Sequence, residues 1–134
     1  MRIVVIGGGA AGLIACGTAA KTADEVILIE KNDRYGKKLL ITGKGRCNIT
    51  NSAETEDMIN QYPTNGKFLY SALYTFTNDD IISLIEEYGV KTKIERGGRV
   101  FPVSDKAYDV VEALKCYALR KNVRTVRGLS LIHI

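Results

Sequence analysis

The sequence is poor in residues that carry out polar chemistry unaided. It has a single histidine, His133, and that residue lies in a terminal hexapeptide read below as foreign. Without it there is no histidine general base, no Ser-His-Asp triad and no histidine metal ligand. The three cysteines, Cys16, Cys47 and Cys116, are far apart and form no CxxC pair. That spacing argues against a disulfide framework and a zinc site, so no metal is expected; it fits a reducing compartment, the cytoplasm. No apolar run approaches the roughly 20 residues of a membrane span, so no membrane partner is expected. The opening "MRIVVIGGGAAGLIACGTAA" has a cation, an apolar run and small residues, as a secretory signal does. Three consecutive glycines break that run and the cationic region is one arginine, so the signal reading is set aside. The net charge is +4 with no block of one sign, which a solvated surface explains; no nucleic-acid partner is expected.

The chain has 134 residues, enough for one modest domain, and 46% are hydrophobic, enough to pack a core. Its last six residues, "LSLIHI", read either as a short apolar strand or as the translation of CTG TCT CTT ATA CAC ATC. That string resembles a transposase end used in preparing sequencing libraries. Residues 129–134 are therefore expected to be non-native, and 1–128 to be the N-terminal part of a longer protein, a truncated domain. Such a piece leaves a sheet edge and apolar faces uncovered, so poor solubility is expected of it.

Arg2–Ile6 is β-branched and apolar, like a strand buried on both faces; Gly7–Gly9 turn it into a helix from Ala10 to about Lys21, and Glu25–Glu30 is a second buried strand. This unit predicts parallel strands joined by a right-handed crossover. A loop then runs to about Asn51, and "SAETEDMINQYPTNG" reads as a polar surface excursion. Lys67–Phe76 reads as a helix whose aromatics recur at core-like spacing. Thr77 and Asp80 form a capping box that opens the next helix, which Gly89 stops. Val90–Phe101 reads as a β-hairpin, Ser104 as the cap of a helix from Asp105 to about Lys121, and "NVRTV" as a further strand. The fold class is α/β: a βαβ unit with a parallel sheet, plus an inserted β-hairpin and helices.

Gly7, Gly9 and Gly12 form G-x-G-x-x-G between a strand and a helix, with an acid, Glu30, closing the next strand. In a dinucleotide site Gly7 allows the tight turn, Gly9 lets the backbone approach a diphosphate, and Gly12 lets the helix sit close to the strand. The helix N-terminus, with Ala10 and Ala11, offers free N–H groups to phosphate. Glu30 suits a ribose diol and disfavours a 2′-phosphate. Cys16 reads as a small packing residue of that helix.

The motif fits NAD and FAD alike. The stretches "RIVVIGGGAAGLIAC", "EKNDRYGKKLLITGKGRCNITN" and "ERGGRVFPVSDKAYDVVEAL" together resemble the bacterial NAD(P)/FAD-dependent oxidoreductases of the aminoacetone-oxidase type, which include bile-acid 3-dehydro-4,6-reductase relatives. The resemblance covers nearly all of Met1–Val126. It implies a Rossmann-like FAD-binding domain whose second glycine-rich loop lies along FAD, with Thr42, Gly43, Gly45, Arg46, Cys47 and Asn48 at the cofactor. Lys31 joins the binding set. Lys38, Lys44 and Arg46 would offset phosphate charge, and Asn48 and Asn51 would hold the loop or contact the ring. A Walker-type loop is excluded, because Gly45 rather than Ser or Thr follows Lys44. Other readings remain open: a structural turn with solvated cations, a packing or a redox role for Cys47, and flavin contact or hairpin packing for Arg99 and Phe101.

The expected function is hydride transfer through FAD on a small organic or steroid-like substrate, with NADH or NADPH as possible reductant and no catalytic residue of this segment's own. The alternatives are an NAD-dependent dehydrogenase domain and an RNA-modifying flavoprotein. No pattern in the sequence assigns an oligomeric state.

Overall fold

The structure, a computed structural model, describes residues 1–130 and 132; Leu131, His133 and Ile134, half of the hexapeptide, lie outside the described residues. Two apolar β-branched runs form its centre. β1 (Arg2–Ile6) and β2 (Glu25–Glu30) pair in parallel, from Arg2 opposite Glu25 to Ile6 opposite Ile29, across helix α1 (Ala10–Ala19). The last strand, here numbered β6 (Val123–Arg127), adds in parallel to the other edge of β2, giving the order β1-β2-β6. As read from the sequence, this is a Rossmann-like parallel sheet.

The intervening chain holds β3 (Thr50–Asn51), α2 (Thr55–Asn60), α3 (Tyr70–Thr75), α4 (Asn78–Glu87), β4 (Thr92–Glu95), β5 (Arg99–Pro102) and α5 (Ala107–Ala118). β4 and β5 form the expected hairpin. Two residues of the preceding loop extend it into an antiparallel sheet β3-β5-β4, with Thr50 opposite Val100. A two-residue strand has no period to read, so no residue pattern marks it.

The core lies between the parallel sheet and helices α1 and α5. Val26 and Leu28 of β2 meet Leu13 and Cys16 of α1 and Val110, Leu114 and Ala118 of α5. α5 buries the apolar stripe that its spacing predicts. Gly17 sets how closely the helices approach, because a Cβ there would collide with the Tyr117 ring and come within 2.9 Å of the Tyr117 carbonyl oxygen. The hydroxyls of Thr18 and Tyr117 hydrogen-bond at 2.9 Å beside that contact. In α4, Thr77 and Asp80 form the capping box: the Asp80 N–H donates to Thr77 Oγ1 at 3.2 Å and the Thr77 N–H to Asp80 Oδ2 at 2.7 Å.

Three expectations need correction. β1 is not buried on both faces: Val4 and Ile6 are 51% and 58% exposed, because the described helices of the core cover one face of the sheet only. The aromatics of Lys67–Phe76 are not core. Phe68 is 87% exposed, Tyr70, Tyr74 and Phe76 also face solvent, and the Tyr70 and Tyr74 rings stack at 4.6 Å. Helical spacing identifies a face but not what covers it. Finally, α5 starts at Ala107 and Ser104 does not cap it. Ser104 Oγ accepts from the Lys106 N–H, at 3.3 Å, and Asp105, which pairs with Arg46 and Lys93, is left-handed (φ 55°).

Gly17→Ala should improve helix propensity by about 1 kcal/mol, yet destabilise the protein by about 1–2 kcal/mol net, because the Tyr117 ring and backbone leave no room. Urea unfolding reads the balance, and a variant as stable as the parent would contradict the close-packing role.

Candidate functional site

The corner between β1 and α1 is built from main chain. The Gly7 N–H continues the strand ladder to Ile29 O at 2.7 Å, while Gly7 turns into a backbone region (φ 96°) that suits glycine. Gly9 is the N-cap of α1 and contributes no side-chain bond, and the first turn carries no acid. The leading N–H groups of α1 are thus left to a partner outside the helix, at its positive end. Gly12 packs the helix onto the corner, since a Cβ there would collide with Gly7 O. A Cβ on Gly7 or Gly9 would meet nothing within 4 Å. One glycine is therefore needed for packing inside the protein, whereas Gly9 faces open space with an ordinary backbone.

Glu30, at the end of β2, is only 6% exposed. Its Oε2 accepts from the Gly8 N–H at 2.5 Å, and its Oε1 accepts from the Asn32 N–H at 2.8 Å and Asn32 Nδ2 at 2.7 Å. Burial acts to raise its pKa. The N–H groups of Asn32 and Gly8, the Asn32 amide and the Lys31 charge outweigh burial and hold the carboxyl below its ordinary range, so it is an anion at neutral pH. Three donors leave about one acceptor position for a ligand hydroxyl.

The chain after β2 returns to the same corner. The Gly36 N–H donates to Gly8 O at 2.8 Å, and Tyr35 packs on Gly8, where a Cβ would strike its ring. A cavity of about 320 Å³ results, with Gly7, Gly9, Glu30, Lys31 and Lys38 in its wall and Leu129 and Ser130 of the terminal hexapeptide at its side. Ala10 and Ala11 instead border a separate apolar cavity against α2–α4, of about 560 Å³. Gly8, Asn32, Tyr35 and Gly36 are the contributors that sequence reasoning missed. Gly8 sits inside the glycine triplet and Gly36 within "RYG", but only the fold shows that they meet.

The second loop behaves differently. Thr42, Gly43, Gly45, Arg46, Cys47 and Asn48 do not line the cavity of the glycine corner. Thr42 Oγ1 donates to Leu39 O at 2.8 Å. With its amide turned so that the nitrogen faces carbonyls, Asn48 donates to Val100 O at 3.1 Å and Thr50 O at 2.9 Å. Asn51 Nδ2 donates to Gly97 O at 2.8 Å. Both asparagines hold the loop to the hairpin. Phe101 is 3% exposed and packed within that hairpin. Cys47 is 1% exposed in the core cluster, and burial raises its pKa against the opposing Thr42 hydrogen bond. It is a packed neutral thiol rather than the thiolate that neighbouring cations would favour. Arg46 is not in the wall of that cavity: it pairs with Glu95 and with Asp105, and lies 4.2 Å from the Phe101 ring centre. Lys44 is exposed and left-handed (φ 58°). Among the described residues no helix is long and apolar enough to cross a membrane, and no group of metal-ligating side chains is assembled.

A family model described as the HI0933-like protein Rossmann domain matches residues 1–133. The 3-dehydro-bile acid delta(4,6)-reductase of Clostridium scindens is 35% identical over 132 residues, which is 97% of this chain and 32% of that protein. The ribosomal RNA dihydrouridine synthase of Haemophilus influenzae is 36% identical over 112 residues, 84% of this chain and 27% of that protein. The chain thus spans a third or less of the length of these relatives. Among solved structures, Thermovibrio ammonificans THI4 aligns with a TM-score of 0.61 at 15% identity, over 96% of this chain and 38% of its own. Mycobacterium smegmatis Sdh1 in complex with UQ1 aligns with a TM-score of 0.63 at 20% identity, over 96% and 28%. At those identities the likeness is one of fold.

Two outcomes test this geometry. Gly9→Ala should keep the parent's stability within about 0.5 kcal/mol, whereas Gly12→Ala should lose several-fold more by colliding with the Gly7 carbonyl; thermal melts separate them. Glu30→Gln should cost about 1.5–3 kcal/mol at neutral pH, the value of hydrogen bonds to a charged group. The folded carboxyl titrates below its ordinary value of 4.5. Its stabilisation is therefore complete above that value and is lost as pH falls through the folded pKa. The gap between parent and variant in urea unfolding should accordingly narrow in acid; a gap that widened would overturn the assignment.

Proposed function

The chain belongs to the HI0933-like Rossmann-domain family, and on that premise we propose that it is the FAD-binding part of a flavoprotein oxidoreductase. The observation that carries this is the convergence of Gly7, Gly9, Glu30 and Lys38 on one cavity beside an uncapped helix N-terminus. The residues fit the cofactor's ADP half. Gly9 leaves open a space that any side chain would narrow, which suits a diphosphate lying on the backbone. Lys31 and Lys38 make no ion pair among the described residues and would balance its charge. Glu30 has about one acceptor position left for a ribose hydroxyl, and its charge disfavours a 2′-phosphate. Bound FAD would supply the hydride-transfer chemistry, and this segment would bind and orient it.

The relatives' names suggest the substrate range. A small organic or steroid-like substrate follows from the bile-acid enzyme, with NADH or NADPH as reductant. A second reading, an RNA-modifying flavoprotein, is supported by the ribosomal RNA enzymes and by the exposed, stacked Tyr70 and Tyr74. It is weakened by Glu56, which accepts from the Tyr74 hydroxyl at 3.1 Å where RNA calls for cations. An NAD-dependent dehydrogenase domain would use the same glycine corner without the second loop. Free thiols at Cys16, Cys47 and Cys116 fit a reducing, cytoplasmic setting.

Titration with FAD, ADP, NAD and 2′-phosphorylated ADP tests the proposal. FAD and ADP should raise the melting temperature, and the 2′-phosphate should weaken ADP binding by about tenfold or more. A protein that melts identically with and without FAD would refute the flavin reading. NAD binding without FAD binding would favour the dehydrogenase domain, and a salt-sensitive shift of labelled RNA would favour the RNA enzyme.

A further inference from the structure

A smaller cavity, of about 270 Å³, lies between the loop after β2, helix α5 and the end of β6. It shares no lining residue with the cavity of the glycine corner. The loop divides the two. Gly36, Lys37 and Lys38 line the first cavity, and Arg34, Tyr35 and Leu40 line the second. Gly36 sets the loop against α5, since a Cβ there would come within 2.8 Å of the Val111 side chain.

Two guanidiniums meet at this cavity, Arg34 from the loop and Arg127 from the last position of β6. Neither makes an ion pair among the described residues. Arg127 Nη1 donates to Asp33 O at 3.0 Å, which anchors the side chain without neutralising it. Lys115 is also in the wall, but its Nζ is 2.7 Å from Glu112 Oε1, which lines the same cavity. Three cations and one carboxylate leave a net charge of +2.

Tyr35 adds an unmet polar group. It is 7% exposed, and its hydroxyl is the one buried side-chain polar atom among the described residues that has no hydrogen-bond partner. A buried tyrosine hydroxyl ordinarily finds one, because leaving it unpaired is costly. The ring is fixed on both sides: it packs on Gly8, and the Arg127 guanidinium carbon lies 6.0 Å from its centre.

This donor set suits an oxyanion. A guanidinium can give two parallel N–H bonds to a phosphate or carboxylate, and a phenol adds a third donor. A surplus of +2 favours a dianion over a single carboxylate. The cavity falls below the ~300–1,000 Å³ of sites for drug-sized ligands, so it admits a phosphate or a small ester of one, not a dinucleotide.

We propose that this cavity is an anion site separate from the glycine corner, in which Arg34, Arg127 and the Tyr35 hydroxyl hold a phosphate dianion, either free or as the monoester of a small molecule. It does not depend on the flavin reading: a chain that binds phosphate here and no FAD would leave it standing.

Calorimetric titration and thermal melts of the intact chain with inorganic phosphate and with glycerol phosphate, at constant ionic strength, test the site. At least one of the two should bind and raise the melting temperature. Tyr35→Phe keeps every charge, so it separates a built site from diffuse attraction. It should weaken the anion by about tenfold or more, yet melt at or above the parent's temperature when no anion is present, because an unpaired hydroxyl has been removed. Arg127→Gln should weaken binding by a similar factor, and it carries the test should Tyr35→Phe fail to fold. A stronger response to the ester would identify a phosphorylated small molecule as the ligand and an equal response free phosphate; both uphold the site. A parent that binds neither anion would overturn it. Parent-like binding in both variants would place the anion elsewhere, and loss in Arg127→Gln with parent-like binding in Tyr35→Phe would reduce the cavity to a patch of surface charge; either result overturns the proposal.

Discussion

The bond from the Gly8 N–H to the Glu30 carboxylate is the constraint on which the site depends. It joins the turn after β1 to the end of β2, so the glycine corner and the acid cannot move apart. Two bonds from Asn32 hold the other carboxylate oxygen, and the Gly36 N–H then draws the following loop onto Gly8 O. A charged acceptor buried at 6% exposure would be costly unless so paired. The same donors that satisfy it also shape the cavity wall. The carboxylate thus has a structural role of its own, and a corner preorganised in this way would lose little freedom on binding a ligand.

Much of this was legible in the sequence where the signal is local. β1, α1 and β2 follow from apolar runs around a glycine triplet, and the Thr77–Asp80 capping box needs only residues three apart. The hairpin follows from alternation around Gly97-Gly98. What could not be read depends on partners far along the chain. Arg46 looked like a phosphate ligand because its loop is basic, but its carboxylates stand 49 and 59 positions away. Ser104 looked like a cap because of its residue type, yet Asp105 is bound to Arg46 and Lys93, and the helix starts later. Cys47 had cations near it in sequence, while the fold puts it in the apolar core.

The parallel sheet shows the same division between composition and context. β1 and β2 have the apolar make-up of strands covered on both sides. Among the described residues the core helices cover one side, and Val4 and Ile6 remain exposed on β1. Composition records what a strand is suited to bury, not what lies against it. The exposed aromatics Phe68, Tyr70 and Tyr74 follow the same rule on a helical segment.

Arg46 of the second loop and the lysines at the cavity differ in their surroundings. Arg46 is neutralised by carboxylates and stacked on an aromatic ring, and its guanidinium is suited to that because it offers several fixed donors and is weakly hydrated. Lys31, Lys37 and Lys38 are exposed at the cavity, with compact, well-hydrated charges on flexible stems. A lysine that stays solvated until an anion arrives keeps its charge available, whereas an arginine committed to two carboxylates does not. The choice of arginine for the clamp and lysine for the cavity rim follows from that difference. It separates the residue that fixes the loop from those left solvated at the cavity rim.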